Sequence, residues 1–269
     1  MDKPRKVVLI TGAAHGLGSA LVKEFLHAGW YIIATDMDDL SMAWMLAHEQ
    51  IMVIGMDITS DSSVRDAFTR IKAQDIAIDL IINNAGTDRY FPLSEAPVDE
   101  FKQVFEVNVF GGYRVNQTFL PLIRKPGGRI VHISSESLHL TVPFMPYPLT
   151  KKLVEGYAKV LRTELAFMGI DVVIVRPGAI RTRLLSTVSN LHPAEGTWKL
   201  EKPFLKFAAT ASNEIGKTIS PEQAAGFILG VSVKPKPRAV YRINNMLQLR
   251  IAALVPFRWF EKIVYRKLS

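Results

Sequence analysis

The chemistry in this chain centres on a tyrosine, Tyr147, and a lysine, Lys151, that stand four residues apart. Because four residues make about one helical turn, a helix would put both side chains on one face, with the ammonium near the phenol. A phenol has a pKa of about 10, and a neighbouring cation favours the phenolate. An apolar run over 129–134 ends in Ser134 and Ser135, whose hydroxyls can hold a substrate oxygen against the tyrosine. The group predicts a proton-transfer site. Taken alone, however, a Tyr–Lys pair more often means a core tyrosine beside a solvated lysine.

A glycine cluster near the N-terminus supports the chemical interpretation. Gly12, Gly16 and Gly18 lie between an apolar run over 6–10 and a helical pattern over 21–28. Glycines at a strand-to-helix turn let the backbone approach a bound group closely. The free N–H groups and the dipole at the start of the helix favour a phosphate. The turn therefore predicts a nucleotide site.

An acidic residue, Asp36, follows the second apolar run, 31–35, and stands 18 residues after Gly18. At this distance a carboxylate can accept hydrogen bonds from an adenosine ribose. It would also repel a 2′-phosphate, so it favours NAD over NADP. An N-cap role for Asp36 in a helix that begins before Leu40 is the alternative, and it stays open at this point.

Strand and helix patterns alternate along most of the chain, which predicts an α/β fold with a doubly wound parallel sheet of the Rossmann type. The predicted strands are 6–10, 31–35, 51–54, 80–82, 129–134, 172–175 and 238–243, and the helices are 21–28, 60–72, 98–105, 109–122, 148–168 and 221–230. The chemical motifs fall at the carboxyl ends of strands, where such folds bind ligands. We expect one dinucleotide-binding and catalytic domain over 1–243, with a substrate lid at about 183–220, and a C-terminal tail over 244–269.

The combination of motifs resembles the short-chain dehydrogenase/reductase family over residues 5–232. The matching motifs are Thr11-Gly-x-x-x-Gly-x-Gly18, Asp57, Asn83-Asn84-Ala85-Gly86, Asn108, the serine pair, Tyr147-x-x-x-Lys151, and Pro177-Gly178 with Thr182. Two positions depart from the common pattern. Thr150 stands where serine is frequent before the lysine, and Leu138 stands where glycine is frequent after the serine.

The resemblance implies roles for the catalytic residues. Tyr147 would be the acid/base, and Lys151 would bind the nicotinamide ribose and lower the pKa of Tyr147. Asn108 would hold a water in the proton relay. One serine would orient the substrate oxygen. Ser135 and Ser134 stand 12 and 13 residues before the tyrosine, and we favour Ser135, because a residue paired within the strand is less free to reach substrate.

The resemblance also implies a cofactor site. Asp57 would contact the adenine, Asn84 the adjoining ribose region, and Ile180 and Thr182 the carboxamide. The full predicted set is Gly12, His15, Gly16, Leu17, Gly18, Asp36, Asp57, Ile58, Asn84, Ala85, Gly86, Tyr147, Lys151, Pro177, Gly178, Ile180 and Thr182. The His15–Gly18 turn together with Asp36 resembles family members that use NAD on retinoid- or steroid-like alcohols.

These residues predict an oxidoreductase that interconverts a bulky apolar alcohol and its ketone or aldehyde with NAD. Apolar residues that could line the substrate pocket are Leu138, Leu140, Val142, Phe144, Met145, Leu184, Leu185, Trp198, Phe204 and Phe207. A catalytically silent cofactor-binding or regulatory protein of the same fold is the alternative, which the intact catalytic set disfavours. The resemblance further implies a homodimer or homotetramer formed through the helices at 109–122 and 148–168.

Composition and charge exclude several classes of protein. The chain of 269 residues has no cysteine and therefore no disulfide framework, and its histidines lack metal-ligand spacing. The N-terminus lacks the apolar length of a signal peptide, and no run reaches the roughly 18 apolar residues of a spanning helix, so we expect a cytoplasmic protein. Residues 233–269 hold nine Lys or Arg and one Glu, which equals the whole net charge of +8. The remainder is neutral, which argues against nucleic-acid binding.

The tail is both basic and apolar. Arg250, Arg258, Lys262 and Arg266 are spaced by multiples of four among large apolar residues, and Pro256 is expected to divide the tail into two helical pieces. Such amphipathic pieces fit the surface of a membrane with anionic lipid. Packing of the tail over the substrate opening, or against another subunit, is the alternative, and the sequence leaves both open.

Overall fold

A computed structural model describes residues 5–139, 141–182, 198–213, 217–244 and 254–269. The strands form one seven-stranded sheet in the order β3-β2-β1-β4-β5-β6-β7, and every pair is parallel. Their bounds are β1 Val7–Thr11, β2 Tyr31–Asp36, β3 Ile51–Gly55, β4 Leu80–Asn83, β5 Arg129–Ile133, β6 Asp171–Pro177 and β7 Val240–Ile243. The predicted doubly wound parallel sheet is confirmed.

Eight α-helices are described in the same ranges. They are α1 Gly16–His27, α2 Asp61–Lys72, α3 Val98–Phe105, α4 Gly112–Phe119, α5 Tyr147–Leu165, α6 Glu201–Asn213, α7 Pro221–Ser232 and α8 Phe257–Leu268. Helices α1 and α7 cover one face of the sheet, and α2, α4 and α5 cover the other. Apolar side chains therefore point to both faces of the central strands, as a parallel sheet requires.

The chain reverses its direction across the sheet between β3 and β4, so β1 and β4 are neighbours. The loops that follow these two strands diverge to opposite faces and leave a crevice at the carboxyl edge. The Gly12 turn follows β1 and the Asn83–Gly86 motif follows β4. Sequence-distant motifs thus meet at one edge of the sheet.

The structure differs from the sequence-based prediction around Asn108, which was placed between two helical segments. Asn108 instead lies within a π-helical turn, Glu106–Gly111, that joins α3 to α4 without a break. The wide turn packs closely on the loop after β3, because a Cβ on Gly111 would come 2.6 Å from Cδ1 of Ile58. Such turns change the direction of the residues they carry and are frequent at functional sites.

A third apolar cluster lies away from the sheet. Its buried members are Tyr90, Phe144, Phe204, Phe207 and Leu268, which come from two loops, α6 and α8. The cluster joins one face of the C-terminal helix α8 to the domain through Leu268, and membrane contact by the other face stays a prediction. Residues 245–253, which contain the first piece of the predicted tail, lie outside the described residues, as do the lid residues 183–197 and 214–216.

Candidate active site

The glycine turn after β1 is packed too closely for side chains. Gly12 has a φ of +68°, and a Cβ there would lie 2.8 Å from Cα of Ala85. A Cβ on Gly18 would lie 1.8 Å from the carbonyl oxygen of Gly12. The amide of Asn84 donates to the carbonyls of Thr11 (2.9 Å) and Gly12 (3.1 Å). Asn84 thus fixes the turn from the neighbouring strand end.

Asp36, at the end of β2, is tied to the same turn. Its carboxylate accepts hydrogen bonds from the backbone N–H of Ala14 (2.9 Å) and of Asp38 (3.1 Å). The N-cap alternative fails for Asp36, because the N–H of Ser41 at the start of the following 3₁₀ helix, Leu40–Ala47, is bonded to Asp38 instead (3.2 Å). Asp36 is left with its carboxylate on the wall of a cavity.

That cavity runs along the carboxyl edge of the sheet and has a volume of about 1080 Å³. It is lined by all seventeen residues predicted to bind a cofactor, from Gly12 to Thr182, and by Ser135. The volume exceeds that of an ordinary small-molecule pocket, which is about 300–1,000 Å³. With a glycine turn at the start of α1 and a carboxylate at the end of β2, the described residues fit a dinucleotide and leave room for a substrate.

Tyr147 and Lys151 are the first and fifth residues of α5; Lys151 is buried and Tyr147 is half-buried. The side chain of Ser135 lies close enough to Tyr147 to lower the pKa of the phenol, and its Oγ accepts a hydrogen bond from the N–H of Ser137 (3.1 Å). The Nζ of Lys151 lies 5.3 Å from the centre of the Tyr147 ring and donates to the carbonyl of Ile133 (2.9 Å). The structure therefore brings phenol, ammonium and hydroxyl together.

Ser134 faces a different partner. Its Oγ donates to Oε1 of Glu155 (2.7 Å), and Arg176 donates to both oxygens of the same carboxylate (2.8 and 2.6 Å). The serine and the ion pair are all buried. Both serines line the cavity, but the hydroxyl of Ser134 is engaged by Glu155, whereas the side chain of Ser135 is close to Tyr147.

The electrostatics differ from the expectation that Lys151 lowers the pKa of Tyr147. Burial raises the pKa of Tyr147, the charge of Asp88 raises it further, and the hydrogen bond with Ser135 opposes both effects. Burial also lowers the pKa of Lys151 to about 8, against the attraction of Asp88. A buried phenol prefers its neutral form because low polarity penalises the phenolate. The spacing argument overlooked this desolvation.

Asn108 braces the site from behind and does not line the main cavity. Its amide nitrogen donates to the carbonyl of Thr87 (2.9 Å) and to the hydroxyl of Thr150 (3.1 Å), and its oxygen accepts from the N–H of Thr87 (2.7 Å). The Thr150 hydroxyl in turn donates to the carbonyl of Tyr147 (2.7 Å). Threonine at 150, a departure from the family pattern, thus joins Asn108 to α5.

A second, small cavity of about 10 Å³ lies between Asn108 and Lys151. Asn83 also lines it, and Oδ1 of Asn83 is buried without a hydrogen-bond partner among the described residues. This space is near the minimum for one water, and it has polar walls. The role of Asn108 in holding a relay water remains a prediction.

Comparison with known proteins agrees with this geometry. Residues 6–191 match the family described as short chain dehydrogenase. The chain belongs to the short-chain dehydrogenase/reductase family. It is 31% identical to an uncharacterized oxidoreductase of Bacillus subtilis, YusZ, over 98% of this chain and 99% of the relative. It is 27% identical to an NADPH-dependent 3-dehydrocapnine reductase of Ornithobacterium rhinotracheale, over 98% of both chains.

The fold of this short-chain dehydrogenase/reductase is shared by solved structures. A short-chain dehydrogenase from Streptomyces avermitilis superposes with a TM-score of 0.81 at 24% identity, covering 98% of this chain and 97% of the other. At such identity the likeness shows the fold alone. Family membership makes the chain an oxidoreductase whose cofactor is a nicotinamide dinucleotide.

One part of the cavity in this oxidoreductase is built mainly by helices outside the sheet and has the apolar lining expected for a substrate. Side chains of α6 and α8 line it, together with residues of the loop before α5; these are Phe207, Thr210, Phe260, Ile263, Val264, Leu268, Val142, Pro143 and Met145. Trp198 and Phe144 pack on Phe204 at ring-centre distances of 5.0 and 5.5 Å. Leu140, Leu184 and Leu185 lie outside the described residues.

Sequence reasoning missed two residues of the site, Asp88 and Tyr90. Both line the cavity, and the hydroxyl of Tyr90 donates to Oδ2 of Asp88 (2.5 Å). Burial raises the pKa of Asp88 to about 7. The sequence could have indicated Asp88 by its position. It follows the Asn-Asn-Ala-Gly motif by two residues and so lies at the carboxyl edge of the sheet, after β4.

Neither a membrane span nor a metal site is found within the described ranges. None of the helices there is long and apolar enough to cross a bilayer. The same residues contain no group of three or more potential metal ligands.

Proposed function

We propose that this oxidoreductase interconverts a bulky apolar alcohol and its ketone or aldehyde, with NAD as the preferred cofactor. The observation that carries the proposal is the position of the Ser135–Tyr147 pair. It lies between the glycine turn at one end of the cavity and the apolar wall of α6 and α8 at the other. A carbonyl held by the pair has its reacting carbon at the nucleotide and its apolar body against the helices.

In this reaction the cofactor and the residues of the chain would have separate roles. The bound nicotinamide would supply the hydride acceptor or donor at its C4. Ser135 would hold the substrate oxygen, and Tyr147 would pass a proton to or from that oxygen. Burial raises the pKa of Tyr147, which favours the protonated phenol that carbonyl reduction needs, whereas alcohol oxidation needs the phenolate. The proximity of Lys151 supports a role in binding the nicotinamide ribose.

NAD is favoured over NADP by Asp36. Its carboxylate lies on the cavity wall beside the glycine turn, where a ribose 2′-phosphate would meet a negative charge. Because one relative is NADPH-dependent, activity must be measured with both NAD and NADP. A ratio of kcat/KM for NAD over NADP near one would contradict this assignment.

The test of function is turnover across a panel of steroid, retinoid and fatty alcohols with each cofactor. Tyr147→Phe keeps the ring and removes the hydroxyl, so turnover should fall by roughly 10²-fold or more while NADH binding survives. Tyr113→Phe removes a hydroxyl from a half-exposed tyrosine on α4 and serves as the control. Turnover of Tyr147→Phe within a few-fold of the unaltered enzyme would reject the acid/base role, and so favour the silent alternative.

We also propose that two copies associate through α4 and α5. Exposed apolar side chains on the turn before α4 and on both helices support this assembly; they are Phe110, Tyr113, Leu149, Leu153 and Val160. Such a patch on a soluble domain commonly marks an interface. Sedimentation should show a dimer or tetramer that Leu153→Asp dissociates. A monomeric unaltered protein would exclude the assembly.

The outer face of α8 is proposed to touch a membrane surface. Leu254, Phe257 and Trp259 are exposed, and Arg258 and Lys262 are exposed beside them. Apolar rings flanked by cations fit an anionic lipid surface, and an apolar substrate concentrates there. Binding to anionic vesicles is the relevant measurement.

A further inference from the structure

Asp88 is a carboxylate in the substrate cavity that the proposed reaction does not use. Oδ2 accepts the hydrogen bond of the Tyr90 hydroxyl (2.5 Å). Oδ1 is buried and has no hydrogen-bond partner among the residues that the structure describes. An unpaired buried oxygen is costly. Burial raises the pKa of Asp88 to about 7, and a hydrogen-bond donor or a cation from the cavity would restore the ionised form.

The segment that carries Asp88 is held firmly. The N–H of Phe91 donates to the carbonyl of Phe144 (3.0 Å), and the ring of Tyr90 lies 6.1 Å from that of Phe207. Arg89 is engaged by an ion pair with Glu100. The carboxylate therefore has a fixed direction, which is a requirement of a recognition group.

Asp88 also lies at the reacting end of the cavity. A Cβ on Gly86, two residues before Asp88, would lie 3.9 Å from Nζ of Lys151, and Asp88 lines the same cavity as Tyr147 and Lys151. The apolar wall of α6 and α8 surrounds the remainder of the substrate space. A polar group that Asp88 binds must therefore be near the carbon that exchanges hydride, and not at the far end of the substrate.

We propose that Asp88 binds a second hydrogen-bond donor, a hydroxyl or an ammonium group, on the substrate carbon next to the reacting carbinol. This inference rests on the proposed function and narrows its substrate class to vicinal diols or amino alcohols with an apolar body. Tyr90 positions the carboxylate, and Oδ1 accepts from the substrate. An ammonium gains an ion pair, whereas a hydroxyl gains one charge-assisted hydrogen bond.

Three probes that differ in one group test the proposal: 2-methyldodecan-3-ol, dodecane-2,3-diol and 2-aminododecan-3-ol. They place a methyl, a hydroxyl or an ammonium group at the same carbon. The unaltered enzyme should have a kcat/KM for the diol or the amino alcohol roughly tenfold or more above that for the methyl compound, because hydrogen bonds to charged groups contribute about 1.5–3 kcal/mol.

Two variants identify the donor. Asp88→Asn removes the charge and keeps a carbonyl acceptor, so it should abolish a preference for the ammonium but reduce a preference for the hydroxyl only in part. Asp88→Leu removes every acceptor and should abolish either preference. The readout is the ratio of kcat/KM for a polar probe to that for the methyl compound within each variant, because loss of the Asp88 charge also changes the pKa of Tyr147 and Lys151 and with it the turnover of every probe. Asp99→Asn, which removes an exposed carboxylate on α3, is the matched control.

Calorimetric titration of the probes into Tyr147→Phe with NAD bound reads affinity without turnover. A preference for the polar probes that Asp88→Asn or Asp88→Leu removes in this background supports the proposal, even if no probe is oxidised and the proposed function fails. If the probes are oxidised but their ratios are the same in the unaltered enzyme and both Asp88 variants, the role of Asp88 is overturned while the proposed function stands.

Discussion

The two ends of the active-site cavity are built on different principles. The nucleotide end consists of loops that approach one another backbone to backbone, so that one added carbon on Gly18 would overlap the Gly12 carbonyl. The substrate end consists of aromatic and aliphatic side chains on α6 and α8. Loops in backbone contact have no space for an added side chain, whereas a wall made of side chains can be reshaped by substituting larger or smaller residues. On the proposed function, the first end would accept one kind of group, the nucleotide, and the second would determine which substrates enter.

The strongest test of this contrast is Gly18→Ala. The new Cβ would lie 1.8 Å from the carbonyl oxygen of Gly12, a distance that requires the backbone to move. We expect NADH affinity, measured by fluorescence titration, to fall by roughly 10²-fold or more. Gly156→Ala on α5, where a Cβ would have no neighbour within 4 Å, is the control and should keep full affinity. Unchanged affinity in Gly18→Ala would refute the close packing.

A substitution at the substrate end should have the opposite effect, changing KM for the substrate and leaving NADH affinity unchanged. Leu268→Ala removes a buried side chain of α8 that lines the cavity and should raise KM roughly tenfold, since burying a leucine contributes about 1.5–3 kcal/mol. NADH affinity should stay within about twofold. Trp259→Ala, on the exposed side of the same helix, should leave KM unchanged. An equal rise in KM for both variants would show that α8 contributes as a whole rather than through its inner face.

The smallest expected effect concerns the outer face of α8. Arg258→Glu with Lys262→Glu should reduce co-sedimentation with anionic vesicles several-fold, because each cation near such a surface contributes about 1 kcal/mol, while kcat on a water-dispersed alcohol stays unchanged. High salt should also reduce co-sedimentation of the unaltered protein with the vesicles, because it screens the same charges. The control is the double variant Arg70→Glu with Lys72→Glu, which makes the same charge change on α2 instead of α8. Equal vesicle binding by both double variants, or none by the unaltered protein, would reject membrane docking.

Sequence and structure agree best where chemistry depends on local spacing. The Gly12–Gly18 turn, Asp36 and the Tyr147–Lys151 pair could be found because a turn, a strand end and a helical turn fix their positions. The sheet followed from the alternation of apolar runs. Strand and helix bounds agreed within a few residues, because fraying ends carry a weak signal.

What the sequence did not reveal depends on contacts between distant segments. The pairing of Asp88 with Tyr90 requires a particular loop path, and the π-helical turn at Asn108 has no simple pattern. The effect of burial on the pKa of Tyr147 needs the whole surrounding fold. The position of Leu268 in the aromatic cluster also needs the whole fold, since a buried face and a membrane-facing one have the same periodicity.

Leu268 of the aromatic cluster lies 25 residues after Ile243, the last residue of the sheet. A protease that cuts between these two residues would leave the whole sheet and the glycine turn on one fragment, and would separate from it the helix that forms one wall of the cavity. We expect the clipped protein to be retained on an NADH affinity matrix although its apolar pocket is lost, because bound nucleotide stabilises the folded sheet by mass action.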